Sequence, residues 1–383
     1  MRQSIKIIGV VIAVLVVAVG YFIIKKETAS VEPIKIGATL ALSGKYAYLG
    51  EAQANGLRMA IEEINSKGGI GGKQLVLITE DNQGDAKQSV SNVSKLLNVD
   101  NVDVMLSAFT HITNAIKDAV AQKGKVMIYT STVRDIAEGN PLFFRDYYDA
   151  EDNGRVLAKL VRNSSHKNIA FLTEVSDQCS QLEKTFNEES AKFGISIIKK
   201  ESFNTTETDL KTPILKIKES NPEAIVVCGW RHEHVFMKQL KELGMIGTQT
   251  FHWVAPFLPV ADTADMRSIF EENHAVSSWY WFSESNNDSK QKEFSDRYQK
   301  RFSIKPTGES VYAYDDIYVL AGALKKCDAD KKVKDSNCIA EQLLKTDYNG
   351  AAGRLTFTDK GVSNRNTTAI VVKDGLWKET PID

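Results

Sequence analysis

Residues 34–81 hold the pattern that most narrows what this chain can fold into. Ile36, Ala38 and Leu40 alternate as in a strand, and Ser43 and Gly44 then interrupt the run. Leu57, Ala60, Ile61 and Ile64 recur at three- and four-residue spacing, which predicts a helix with one buried face. Gly68, Gly69, Gly71 and Gly72 end that helix, and Leu75, Leu77 and Ile78 resume strand character. A strand, a hydroxyl-bearing loop, an amphipathic helix and a second strand make one βαβ unit. Its first loop lies where an open sheet delivers its strand ends to a cleft. The Gly-rich turn follows a helix and precedes a strand, the reverse of a phosphate-binding context.

The same alternation continues. A helix is expected over 86–97, a strand over 102–106, a helix over 114–122 and a strand over 126–129. After a short strand at 143–145 a second series begins, with strands near 168–173, 196–201, 224–229 and 250–253 separated by helical stretches. Residues 276–280 read as a strand returning toward the first series, followed by helices at 289–302, 311–325 and 339–344. Residues 353–357 and 368–373 read as two antiparallel strands, with Asp374-Gly375 as a turn. The fold class is α/β, with two Rossmann-like lobes built on mostly parallel, helix-covered sheets. A length of 383 residues suits two such lobes.

A net charge of -1 gives no reason to expect a nucleic-acid partner. Residues 7–24 form an uncharged apolar run flanked by Arg2 and Lys6 before and Lys25 and Lys26 after. The run is long enough to cross most of a bilayer and longer than an ordinary signal-peptide core. An uncleaved amino-terminal transmembrane anchor is expected, with an atypical signal peptide as the alternative. Either places the body on the outer face of the cytoplasmic membrane or in the periplasm. Cys327 and Cys338 bracket a lysine-rich segment and suit a local disulfide in an oxidising compartment. Cys228, in an apolar strand, reads as a core side chain, and Cys179 as a loop residue. No metal-ligand spacing, nucleophile motif or dinucleotide fingerprint is present, so neither catalysis nor a cofactor is expected.

Residues 40–50 (LALSGKYAYLG), 60–75 (AIEEINSKGGIGGKQL), 80–97 (EDNQGDAKQSVSNVSKLL), 102–109 (VDVMLSAF) and 312–324 (YAYDDIYVLAGAL) resemble periplasmic binding proteins of the leucine/isoleucine/valine-binding type. The resemblance implies two lobes joined by a three-crossover hinge. Residues 34–145 plus 280–350 would form lobe 1 and residues 146–278 plus 351–383 lobe 2, after a stem ending at 33. It also implies an inner-membrane ABC permease as partner and a small amino-acid-like, amide or carboxylate ligand held between closing lobes. The alternative is a ligand-sensing ectodomain acting through a separate protein.

Matched to the family's loops, the candidate ligand residues are Ser43, Tyr48, Thr110, His111, Ser131 and Thr132 in the first lobe. In the second lobe they are Asp177, Trp230, Arg231 and Trp253. Hydroxyls and free backbone N–H groups at strand ends suit a carboxylate; their ordinary role is helix capping. Where amino-acid binders of the family place an acidic residue, this chain has Val254-Ala255-Pro256. That departure weighs against a free α-amino acid unless Glu174 or Asp177 substitutes, and Arg231 points instead to a carboxylate.

Overall fold

The computed structural model describes residues 32–133, 136, 139–229, 232–254, 263–279, 289–365 and 367–382. Strand β1 (Ile34–Leu40) lies between β2 (Leu75–Asp81) and β3 (Val104–Ala108), and β4 (Val126–Thr130) and β5 (Phe143–Arg145) complete a five-stranded sheet of order β2-β1-β3-β4-β5. All its pairings are parallel. Parallel strands are covered on both faces, which is why β3 is buried along its whole length. Val104 and Leu106 enter the core on one face of the sheet, and Met105 enters a second core on the other.

Helix α1 (Ala47–Ser66) covers the first face, with Leu57, Ala60, Ile61 and Ile64 all buried as their spacing required. Burying each of the Leu and Ile side chains among them contributes roughly 1.5–3 kcal/mol. Gly56 lets α1 approach the backbone of the 22-residue helix Gly308–Ala329, since a Cβ there would lie 2.1 Å from the Ser310 carbonyl oxygen. Helices α2 (Ala86–Asn98) and α3 (Thr110–Gln122) cover the other face through Val93, Leu96, Ile116 and Val120.

The second sheet has β6 (Asn168–Glu174), β7 (Ser196–Phe203), β8 (Ala224–Cys228), β9 (Thr250–Val254), β10 (Val276–Trp279), β13 (Thr368–Lys373) and β14 (Leu376–Thr380). Their order is β14-β13-β10-β9-β8-β6-β7, parallel from β10 to β7 and antiparallel at β13 and β14. Its helices are α4 (Ala150–Asn163), α5 (Asp177–Lys192), α6 (Lys211–Glu219), α7 (Glu233–Glu242) and α8 (Ala264–Glu272). Alternate residues of β6 and β8 feed two cores, Ala170, Leu172, Ile225 and Val227 on one face and Ile169, Phe171, Val226 and Cys228 on the other. The two-lobed α/β architecture read from the alternation is therefore present.

After β10 the chain returns to the first lobe, where α9 (Ser289–Phe302), α10 (Gly308–Ala329) and α11 (Ser336–Leu344) pack into the first core through Phe294, Tyr298, Ile317 and Ile339. Here the expected pairing of 353–357 with 368–373 is corrected. Strand β12 (Gly353–Thr356) pairs with β11 (Asp347–Gly350), and Leu355 and Phe357 bury themselves in the first core. β13 instead turns through Asp374 and Gly375, both at positive φ, into β14.

The membrane expectation is also corrected. The apolar run at 7–24 lies outside the described residues, and among those described no helix is long and apolar enough to cross a membrane.

Cys327 and Cys338 form a disulfide between α10 and α11, and a second one joins Cys179 on α5 to Cys228 on β8. The separate readings of Cys179 and Cys228 missed that the first turn of α5 packs over the end of β8. In the chain-entropy view the loop of 49 residues stabilises by about 4 kcal/mol and that of 11 by about 3 kcal/mol. Replacing Cys179 and Cys228 by Ala is expected to lower unfolding free energy more than replacing Cys327 and Cys338, as measured by urea titration.

His252, in the middle of β9, is fully buried with neither ring nitrogen bonded. Burial pushes its pKa from 6.5 down to about 3. The unfolded chain then binds a proton that the folded chain refuses, so stability is lost as pH falls from 6.5 toward 3. The loss over that window is on the order of 4 kcal/mol. His252→Leu is expected to flatten the acid limb of a thermal-unfolding profile taken between about pH 4 and about pH 7.

Candidate ligand cleft between the two sheets

In each sheet the strand order reverses beside its first strand, β1 in one and β6 in the other. Loops leaving the carboxyl ends of neighbouring strands diverge there and open a crevice. The two crevices face one another across a cavity of ≈ 370 Å³. The first lobe supplies Tyr46 after β1, Phe109, Thr110 and His111 after β3, and Thr130, Ser131 and Thr132 after β4. From α1 come Leu49 and Gln53, and from the first turn of α10 comes Glu309. The second lobe supplies Glu174, Ser176, Asp177 and Gln178 after β6, with Thr205 after β7. Tyr147 stands between the lobes.

Thr110 opens α3, and its Oγ1 lies 3.0 Å from the Ser131 Oγ. Ser131 in turn accepts from the Val133 backbone N–H at 3.1 Å, which fixes the hydroxyl pair at the floor of the cavity. Phe109, just before, holds φ at 69° and so turns the chain sharply into the helix. His111 is exposed at the rim, where its Nε2 donates to the Gly84 carbonyl at 3.0 Å and its ring stacks on Phe109. Lys45 reaches across the mouth toward the Thr205 carbonyl oxygen, 3.4 Å away.

On the opposite wall, Ser176 caps α5 by accepting from the Cys179 N–H, and this aims Asp177 and Gln178 at the cavity. Glu174 is 5% exposed and lies 3.6 Å from the His232 Nδ1. The His232 Nε2 donates to the Glu207 carbonyl at 3.0 Å, which turns Nδ1 toward Glu174. Glu309 is equally buried and accepts from the Tyr147 hydroxyl at 3.2 Å. Among the described residues the lining thus carries three carboxylates and no lysine or arginine.

Of the residues expected from sequence, Thr110, His111, Ser131, Thr132 and Asp177 line this one cavity. Ser43 does not, because its hydroxyl and N–H are taken by Asp81, at 2.6 and 3.2 Å. Burial would raise the Asp81 carboxyl, and the bonds from Ser43, Gln83 and Leu42 more than reverse it and hold it low. Tyr48 is absent from the lining. Tyr46, two residues earlier, takes that place because η-type winding at 44–46 precedes α1. Trp230 and Arg231 lie outside the described residues, as does the side chain of Trp253. Gln53 and Glu309 were missed. Gln53 sits on the helix face that the apolar spacing assigned to packing, and Glu309 arrives from far along the chain.

Arg145 supports the floor from beneath. Its guanidinium is buried and donates to the carbonyls of Ser131 (2.7 Å) and Tyr148 (3.0 Å), with Asp149 at 3.5 Å. Behind it, Arg365 forks onto Asp146 at 3.1 and 3.2 Å, donates to the Ala352 carbonyl and lies 3.5 Å from Asp315. Burial pushes Asp315 up to about 6, against the pull of Arg365 and of the Ala351 and Ala352 amides.

The protein is thus a two-lobed α/β fold with a ligand-sized cleft between its sheets. A family model described as "Periplasmic binding protein" matches residues 33–375, and the chain belongs to that family. It is of the Leu/Ile/Val-binding type, an extracytoplasmic solute-binding protein that works with an ABC permease and is not an enzyme. The leucine-, isoleucine-, valine-, threonine- and alanine-binding protein of Pseudomonas aeruginosa is 25% identical over 86% of this chain and 87% of its own length. Leu/Ile/Val-binding protein homolog 7 of Brucella melitensis is 22% identical over 90% and 89%. Among solved structures, the branched-chain amino acid transporter substrate-binding protein LivJ of Streptococcus pneumoniae, in complex with isoleucine, superposes with a TM-score of 0.79 at 23% identity, covering 91% of this chain and 99% of that one. A solute-binding protein from R. palustris in complex with benzoate gives 0.80 at 15% identity, over 91% and 96%. These superpositions speak to the fold.

Replacing Arg145 by Met would leave Asp149 and two carbonyls without their buried donor. A loss of about 3 kcal/mol or more in urea unfolding is expected, together with weaker ligand binding by calorimetry.

Proposed function

We propose that the cleft takes an α-amino acid or a close analogue, bound as a zwitterion. The observation that carries this is the division of polar groups between its walls. On the first lobe stand the hydroxyls of Thr110, Ser131 and Thr132 at the amino-terminal end of the 13-residue helix α3. Donors and first-turn amides at a helix start suit a carboxylate. On the second lobe stand Glu174 and Asp177, which suit an ammonium. The acidic partner that 254–256 lack would then come from the end of β6. Names of related proteins, several of them binders of leucine, isoleucine and valine, agree with an amino-acid ligand.

A ligand gripped from both sides stabilises the closed arrangement over the open one, by its differential contact with the two. Hinge motion would occur at the crossover segments near Asp146 and Arg365, where the chain passes between the sheets.

Calorimetric titration with amino acids, their deaminated acids and their decarboxylated amines tests the reading. Binding should need both charged groups. Thr110→Ala is expected to weaken it by about tenfold, and Glu174→Gln by about tenfold to a hundredfold. Equal affinity for an amino acid and its deaminated acid would overturn the zwitterion reading.

A further inference from the structure

The ammonium site has a titratable neighbour. Glu174 lines the cavity from the end of β6, and its Oε2 lies 3.6 Å from the Nδ1 of His232, which stands just before α7. Both side chains are buried. The His232 ring packs edge-on against Phe203, with 4.8 Å between centroids. Gly229 closes over the same carboxylate, since a Cβ there would lie 3.7 Å from Glu174 Oε2 and 2.8 Å from the Phe203 Cζ. A charge on the ring is therefore felt by the carboxylate through protein more than through water.

The bond on the far side of the ring fixes what Nδ1 can present. A carbonyl only accepts, so the Nε2 that lies 3.0 Å from the Glu207 carbonyl carries a hydrogen. In the neutral ring Nδ1 then turns a lone pair toward a carboxylate oxygen, and in the imidazolium it turns an N–H there. Around the pair stand Asp177 from α5, and Glu309 and His111 from the first lobe. The Glu207 carboxylate is turned to the Asn204 amide, from which it accepts at 2.7 Å. The carboxylates favour a charged ring. The amino-terminal end of α7, His111 at the rim and Lys45 at the mouth oppose one.

We propose that His232 is a positioning residue for the ligand's ammonium, a charged ring competing for Glu174 and a neutral ring leaving the carboxylate to the ligand. This rests on the amino-acid reading above and deepens it. An ammonium arriving at Glu174 sets a second cation beside the ring, and like charges at that range disfavour one another. The ring therefore yields its Nδ1 proton to solvent as the ligand binds. By linkage, a ligand that expels a proton is itself weakened when protons are plentiful. Affinity is thus highest where the free protein already holds the ring neutral, and falls as pH drops through the histidine range.

The experiment is isothermal calorimetry of the full chain with the common amino acids other than histidine. The tightest binder is then titrated between about pH 5 and about pH 7, where its ammonium keeps its charge, in buffers of low and high ionisation enthalpy. Affinity is expected to fall about tenfold toward the acid end, with up to about one proton released per ligand bound. His232→Gln keeps a donor for the Glu207 carbonyl and cannot be charged, so it is expected to bind with a flat pH profile and no proton release. The melting temperature is checked at each pH to confirm folding. Binding independent of pH and without proton release in the unaltered protein overturns the inference and leaves the amino-acid reading standing. A His232→Gln protein that keeps the slope overturns it too, as does a His111→Gln protein that loses it. Binding of no amino acid overturns both readings. The proton count on the unaltered protein, with the His111→Gln profile, decides the matter even if His232→Gln fails to fold.

Discussion

The Arg365 guanidinium ties the segment that returns to the second sheet to the first lobe and to the segment that leaves it. It reaches Asp146 where the chain leaves the first sheet, the Ala352 carbonyl between β11 and β12, and Asp315 on α10 of the first lobe. Its plane also lies over the Tyr312 ring, 4.5 Å from the centroid. Burying one cation with so many acidic groups is costly unless each bond is well made. Burial alone would lower the guanidinium's pKa, and Asp146 and Asp315 raise it further than burial lowers it, so it stays charged. The neighbouring Asp316 is pushed well up by burial and by Asp146. An apolar hinge would hold its segments by shape alone. Here the crossing segments are held by directed bonds.

Arg145 extends the same logic to the ligand. One guanidinium touches the carbonyl of Ser131, at the floor of the cleft, and that of Tyr148, at the crossover. The first-lobe binding loop and the pivot are thus one rigid piece. On the other side Glu174 and Asp177 lie at the end of β6 and the start of α5, held by the Ser176 cap. Both walls of the cleft are thus held in place by bonds within their own lobes.

Much of this was readable from the chain. Alternation of strand and helix gave the lobes, because parallel sheets bury both faces and leave continuous apolar runs such as 104–108. Thr110, Ser131 and Asp177 were found because cleft loops follow parallel strands in a regular order. The misses have physical causes. Ser43 looked like a ligand hydroxyl, yet its partner is a carboxylate that arrives from β2. Tyr46 displaced Tyr48 because a short tight turn shifts side-chain direction where local spacing gives no warning. Gln53 sits between buried neighbours on α1 and reads as an interruption of packing. Glu309 is a first-turn residue of a helix that packs on α1, so only the tertiary contact at Gly56 brings it to the cleft. The Cys179–Cys228 bond was hidden by their separation of 49 residues.

That bond ties the beginning of α5 to the end of β8, directly beneath the loop carrying Glu174, Ser176 and Asp177. A wall stapled from behind has little freedom to drift as sequences diverge. Change of ligand preference in descendants of this chain would therefore fall on the opposite wall, where α1 and α10 present side chains with no covalent restraint beneath them at the cleft.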